Sequence, residues 1–435
     1  AENEDDEETI EDETDNPLDI TDENQKDEEL NGVATTIDLG DSETEVTSIA
    51  VTPSVDALSV IDTDMNKNLQ SQTINWLRFP LIVLVVFIHN QGMGTPPDKA
   101  IIPWGAMQGI DYYNFLRLFI TNVFARIAVP TFFIISGYYF FIKNDSFNYK
   151  IYNSKIHKRI RTLLIPYILW NLLAIIPTYE IACYLFKNQP WPAIDFNPIH
   201  IFWNNSCSTW KDIFGFEHSL CYPFNVPLWY IRDLIIMILI SPIVYSSIKR
   251  IPKTYFTLLA ICGTLGIWPN IVGFYYNSVL FFSIGSALGI YKIDLIKVCS
   301  KYAKTNFIIT IITMLIVSYA VSVQSDTFGL NYIFYISCIM SIFNIVSHLI
   351  KENKLKVNTF LLRSTFFVYA YHYLSSSILL SAVVPQIYKL PIHGIMYPII
   401  YMIIPILKIC ICLGIFYILE KIAPKLTNLL TGSRL

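Results

Sequence analysis

Two residues of the first long apolar stretch carry side chains that hydrocarbon admits only at a cost. Arg78 and His89 stand eleven positions apart in Ile-Asn-Trp-Leu-Arg-Phe-Pro-Leu-Ile-Val-Leu-Val-Val-Phe-Ile-His. On a helix that spacing is about 16 Å along the axis and close to three turns, so both side chains fall on one face. A guanidinium can grip phosphate oxygens with two parallel hydrogen bonds, and an imidazole near neutrality can take a proton from a hydroxyl. A snorkelling Arg and a helix-end His satisfied by a neighbouring span would show the same spacing, which leaves both readings open.

Other candidates lie in later apolar stretches. Arg126, three positions before Val129-Pro130, could stabilise an oxyanion or pair with a helix-end carbonyl. Ser136 could carry an acyl group, although Ser-Gly within a span more commonly serves close packing. His372 could be a second acid/base or a hydrogen-bonded interior histidine, and Arg232-Asp233 either a local pair or a sugar contact. Lys155, Lys158, Arg159 and Arg161 form a basic cluster suited to phosphate. There is no C-x-x-C and no zinc-like spacing, so no metal site is expected.

The elements that must position these residues follow from composition. Of 435 residues, 53% are hydrophobic and 15% charged, where soluble domains carry about 25% charge. A soluble globular enzyme is excluded. Residues 1–65 hold 23 Asp/Glu against one Lys, which leaves 12 acidic and 30 basic residues in 66–435. The first part reads as an acidic, disordered tail and the second as a basic membrane domain. The tail is the reverse of a secretory signal and is expected to stay attached. A lipid bilayer is the expected partner, and nucleic acid is not.

Ten stretches approach the about 20 apolar residues a spanning helix needs: 74–91, 115–141, 162–186, 226–246, 255–268, 272–291, 307–323, 330–350, 360–384 and 396–419. The expected fold is therefore an all-α integral membrane bundle of about ten transmembrane helices. Alternate connections hold 20 Lys/Arg against 4. The basic set, which includes 142–161, 292–304 and Arg363, belongs in the cytoplasm, and with it both termini. Loops 92–114 and 187–225 then lie outside. Cys207 and Cys221 share the second loop on the oxidising side, where they could pair or remain free thiols.

The R-x10-H of Arg78 and His89 resembles the first-span signature of the integral-membrane acyltransferase-3 family, which acylates bacterial surface sugars. Val129-Pro130-Thr131-Phe132-Phe133-Ile134-Ile135-Ser136-Gly137-Tyr138 is similar to its second-span motif. Lys158-Arg159-Ile160-Arg161 followed by Leu163-Leu164-Ile165-Pro166-Tyr167 is similar to its basic third-span start. Pro227-Leu228-Trp229-Tyr230 resembles the opening of its fourth span, and Ser364 through Tyr369 to His372 a motif of its ninth. Two departures stand out: Asn75 replaces the usual Asp, and Lys158 the first Arg of R-x-x-R.

The resemblance implies transfer of an acyl group, most often acetyl, from cytoplasmic acyl-CoA to a hydroxyl of an exported or cell-surface glycan at the bacterial inner membrane. It implies His89, Arg78 and Arg126 as the catalytic set, and Arg78, Lys158, Arg159 and Arg161 as CoA phosphate ligands. Trp229, Arg232 and His372 are implied on the acceptor side. A secondary transporter and a non-catalytic glycan-export protein are the competing readings, but no half-to-half echo of a transporter repeat is visible. The charge asymmetry makes a direct prediction. In intact cells an impermeant thiol reagent should leave Lys297→Cys at wild-type background; labelling of that position would invert the topology.

Overall fold

The computed structural model describes residues 55–432 apart from 93–99, 186–201, 203–206, 212–216, 376–395 and positions 91, 145, 270, 272 and 328. The first helix, α1 (Val55–Ile88), begins within the stretch assigned to the acidic tail and runs through the R-x10-H segment. After it come α2 (Gly109–Leu118), a π-helical segment (Phe119–Phe124), a 3-10 turn (Ala125–Ile127) and α3 (Ala128–Phe141). Next are α4 (Tyr149–Arg159), a second π-helical segment (Ile160–Leu164) and α5 (Ile165–Leu185). The chain then forms a hairpin of β1 (Cys207–Lys211) and β2 (Glu217–Cys221) and enters α6 (Trp229–Leu239), α7 (Ser241–Arg250) and α8 (Pro252–Leu265). The remainder is α9 (Tyr276–Ile290), α10 (Leu295–Lys301), α11 (Ala303–Ser322), α12 (Leu330–Lys351), α13 (Thr359–Ser375), α14 (Met396–Ile422) and α15 (Pro424–Thr431).

Among the described residues, five helical stretches are long and apolar enough to cross a membrane: Asn66–Ile88, Gly109–Phe141, Ala303–Ser322, Leu330–Lys351 and Met396–Ile422. Two bent pairs, α6 with α7 at 59° and α9 with α10 at 110°, raise the number to seven. The expectation of about ten is met to that extent. Stretches 162–186 and 360–384 extend outside the described residues, and α8, at 14 residues, falls short of the about 20 a span requires. Ile308, Ile312, Leu315 and Ile316 of α11 are exposed, as suits a lipid-facing stripe.

The tightest contact is between α3 and α9. A side chain at Gly285 would strike the Ile134 carbonyl oxygen, and one at Gly137 would strike that of Phe282. Small residues thus let the two backbones touch, which is how helices associate where lipid removes the hydrophobic drive. At one end of the bundle Gln70 of α1 donates to the Tyr138 hydroxyl of α3 and accepts from Leu295 N of α10 at 3.1 Å. The basic connections 142–161 and 292–304 therefore gather at the same end. At the opposite end Ile102 N donates to Ser322 O at 2.9 Å and Trp104 Nε1 to Ser322 Oγ at 2.7 Å, laying residues 102–104 over the end of α11.

The strands β1 and β2 pair antiparallel with Cys207 directly opposite Cys221. Opposed residues have Cα atoms about 4.5–5.5 Å apart, within the span a disulfide bridges; the two side chains lie outside what is described.

The α3–α9 contact predicts an asymmetry between two glycines. Gly285→Ala should destabilise by about 1–3 kcal/mol through overpacking against backbone, whereas Gly414→Ala, with nothing within 4 Å of the added carbon, should be neutral or better. Thermal unfolding in detergent compares them, and equal midpoints would remove the close approach.

Candidate active site

Arg78 and His89 are both positioned by the last third of α1 (Val55–Ile88). Arg78 stands four residues past Ile74, where the polar first part of α1 gives way to its apolar run. The polar residues before Ile74 remain helical because they bond within the bundle, as Gln70 does, and because Thr73 Oγ1 donates to Leu69 O at 2.7 Å. Arg78 is 1% exposed and lines a cavity among α1, α3, α6 and α13. Arg363 lines it too, together with Phe132, Tyr230, Thr365 and Tyr369. Arg363 Nη2 also pairs with Glu420 at 3.1 Å.

His89 is the first residue beyond α1, and its ring centroid is 5.3 Å from that of His372 and 5.8 Å from that of Tyr373. The His372 Nδ1 lies 2.7 Å from the carbonyl oxygen of Tyr369 and 3.2 Å from that of Val368. A carbonyl only accepts, so Nδ1 carries the proton and Nε2 is the basic nitrogen of the neutral ring. On α13 the step from Arg363 to His372 is nine residues, about 14 Å. That nearly matches the Arg78–His89 separation. The two helices therefore run in the same direction, with an arginine pair at one level and a histidine pair at the other.

Two of the family-like motifs prove to be each other's partners. The Tyr369 hydroxyl donates to Pro227 O, and Asn225 Nδ2, two residues earlier, donates to Ala370 O at 2.8 Å. Asn225 N in turn donates to Asn171 Oδ1 of α5 at 3.0 Å. Ser136 Oγ lies 3.1 Å from the Tyr230 hydroxyl, so this serine fixes a tyrosine of the cavity wall while Gly137 serves close packing. Asn75 is buried, and its Oδ1 has no hydrogen-bond partner among the described residues.

The remaining candidates divide. Arg126 sits in the 3-10 turn that follows the first π segment and is exposed. The π segment docks on the end of α1 through Thr121 Oγ1, which donates to Phe87 O at 3.3 Å and lies 2.6 Å from the Tyr401 hydroxyl. Of the basic cluster, Arg159 is buried, Lys158 half-buried and Arg161 exposed, and none of the three lines the cavity that holds Arg78. Arg232 is buried against Asp233 at 3.1 Å and donates to Phe202 O at 3.2 Å, so of its two readings the local pair is seen. Trp229 is half-buried, edge-on to Tyr275. Among the described residues no cluster of His, Cys, Asp or Glu could hold a metal ion.

Sequence reasoning missed Arg363 and Lys408. The first was counted only as an inner-loop cation, although it immediately precedes Ser364 of the ninth-span motif. The second is a lone lysine in the last apolar run, 6% exposed.

The motifs that resemble the acyltransferase-3 family thus lie in one helical bundle, with His89 against His372, and the comparisons agree. The chain belongs to the acyltransferase-3 family, whose acyltransferase domain matches residues 72–418. It is 28% identical over 236 residues to the succinoglycan biosynthesis protein ExoH of Rhizobium meliloti (strain 1021). That match takes in 54% of this chain and 57% of ExoH, so the chain spans little more than half of this relative's length. No solved structure matches the chain.

Proposed function

We propose that this protein moves an acyl group, acetyl in the simplest case, from cytoplasmic acyl-CoA to a glycan hydroxyl on the far side of the bacterial inner membrane. The observation that carries the reading is the cavity that begins between Arg78 and Arg363 and reaches Tyr369, three residues below His372. The resemblance to a succinoglycan biosynthesis protein supports a glycan as acceptor.

In this reading the end of the bundle that bears the basic connections and Arg363 is cytoplasmic, and both termini lie there. The CoA phosphates meet Arg78 and Arg363, whose planar forks suit phosphate oxygens, with Lys158, Arg159 and Arg161 adding positive charge around the mouth. The mostly apolar cavity wall suits the slender pantetheine arm, which carries the thioester towards the histidine pair. His89 takes the proton of the acceptor hydroxyl as that oxygen attacks the thioester carbonyl, and returns it to the departing thiolate. His372, held by its own helix, packs beside the base and limits its orientations. Arg126, exposed on the acceptor side, orients the incoming sugar with Trp229, while the Arg232–Asp233 pair holds the wall behind them.

Two measurements test this. His89→Gln keeps a hydrogen-bonding group of similar size but cannot act as a base, and should lower turnover by about 10² to 10⁴ while the protein still inserts and binds acyl-CoA. Near-normal turnover would remove His89 from proton transfer. Arg363→Ala should raise the KM for acyl-CoA about 10- to 100-fold, the worth of a hydrogen-bonded charge, and Arg161→Ala should change it much less. The reverse order would move the donor site to the start of α5.

A further inference from the structure

A second cavity lies apart from the one that Arg78 lines, among α1, α3, α9, α10 and α12, and encloses about 170 Å³. Its wall is almost wholly hydrocarbon. Of the side chains that line it only Thr131 and Tyr138 carry a hydroxyl, and both are engaged: Thr131 Oγ1 donates to Ile127 O at 2.7 Å, and the Tyr138 hydroxyl accepts from Gln70. Such a space offers water too few partners to hold it. Left empty it forfeits the dispersion contacts of every residue around it, so an apolar guest is favoured.

The cavity has the shape of a wedge. At its narrow end α9 and α12 meet through aromatic rings, with centroids 5.0 Å apart for Tyr276 and Tyr332 and 6.2 Å apart for Phe281 and Tyr335. Farther toward α10 the cavity separates the two helices, where Ile284 and Leu288 of α9 and Ile336, Ile339 and Met340 of α12 line it while only half-buried. Side chains that line an internal space and still reach the protein surface mark a lateral opening, here onto lipid. From Ile127 to Tyr138 the wall extends eleven residues along its helix, about 16 Å. That matches the hydrocarbon depth of one leaflet, about 15 Å.

The wide end of the wedge is cationic. α10 turns 110° away from α9 and lies across the end of the bundle, with Leu295, Val298 and Cys299 lining the cavity and Lys297 and Lys301 exposed. An apolar face set against a basic one is how a helix sits at a membrane surface. The connection 292–304 holds four lysines, Lys292, Lys297, Lys301 and Lys304, against Asp294 alone. Leu295 N donates to Gln70 Oε1 at 3.1 Å, and Gln70 in turn reaches Tyr138, so this basic rim is fastened to the cavity wall. A dry slot one leaflet deep, with lysines at its mouth, is complementary to a lipid whose head is anionic.

We propose that the cavity holds one acyl chain of an anionic phospholipid from the leaflet on the α10 side, with its phosphate among the lysines of 292–304. The site needs neither Arg78 nor the histidine pair, and so stands apart from the acyl-transfer reading. The lodged chain completes the packing among α1, α9 and α12 and fixes α10 against the end of the bundle.

The test uses the full chain, purified in detergent and stripped of lipid, with dioleoylphosphatidylglycerol and dioleoylphosphatidylcholine as probes and native mass spectrometry to count bound lipid. Wild type should retain one phosphatidylglycerol per chain and bind it about 10- to 30-fold more tightly than phosphatidylcholine, the worth of two lysines at an anionic surface. Ile339→Trp, which fills the slot, should lose that lipid while still unfolding in a single transition; should it fail to insert, Met340→Trp is read in its place. Lys297→Gln combined with Lys301→Gln should bring the two lipids within about threefold of each other. Undiminished retention in the tryptophan variant would overturn the site, and equal binding of both lipids by wild type would overturn the anionic head. Protein from native membranes that carries an isoprenoid lipid in place of a phospholipid, lost in the tryptophan variant, would overturn the occupant.

Discussion

A positive charge in hydrocarbon must be met by a partner or reserved for a ligand, and the arrangement of this bundle follows from that constraint. Arg232 and Arg117 show the first solution, each closed off by a neighbour one to four residues away in sequence, Asp233 in one case and Asn114 with Tyr113 in the other. Arg78 and Arg363 both line one cavity, Arg363 while paired with Glu420. Lys408 is buried near the middle of α14. Because each solution needs a fixed geometry, the helices that supply it cannot slide relative to one another without exposing a charge to lipid.

That fixity has identifiable fastenings. The backbones of α3 and α9 touch through glycine, Gln70 ties α1 to α3 and to the start of α10, and Asn225 with Tyr369 ties α6 to α5 and α13. Polar groups exchanged between neighbouring spans satisfy donors and acceptors that lipid cannot, so each bond both stabilises and sets register. The two π segments lie where the first precedes Arg126 and the second contains Arg161, and a π segment within a helix re-aims the side chains around it.

The parallel course of α1 and α13 gives the active-site reading its form. An arginine level and a histidine level about 14–16 Å apart suit a long donor whose charge and whose reactive bond lie at opposite ends. The wall between those levels is largely apolar and includes Phe132, Tyr230 and Tyr369, which in that reading shields the donor's reactive bond from water.

Much of this was legible in the sequence, and the division has a physical cause. Composition alone determined a helical membrane protein, because apolar runs of that length leave the backbone no other way to satisfy its hydrogen bonds. The spacing of Arg78 and His89 set one helical face, and the motif series was enough to suggest the acyltransferase-3 family. Span lengths were less legible: α6 with α7 and α9 with α10 are apolar runs that bend, and hydropathy does not register a bend. Only the tertiary structure decided that His372 lies beside His89 and that Arg363 rather than Arg161 shares a cavity with Arg78. The partners of the two pairs stand 283 and 285 positions apart in the chain. Periodicity along one helix says which residues share its face, but which neighbour that face meets depends on packing between helices, and no local pattern encodes that.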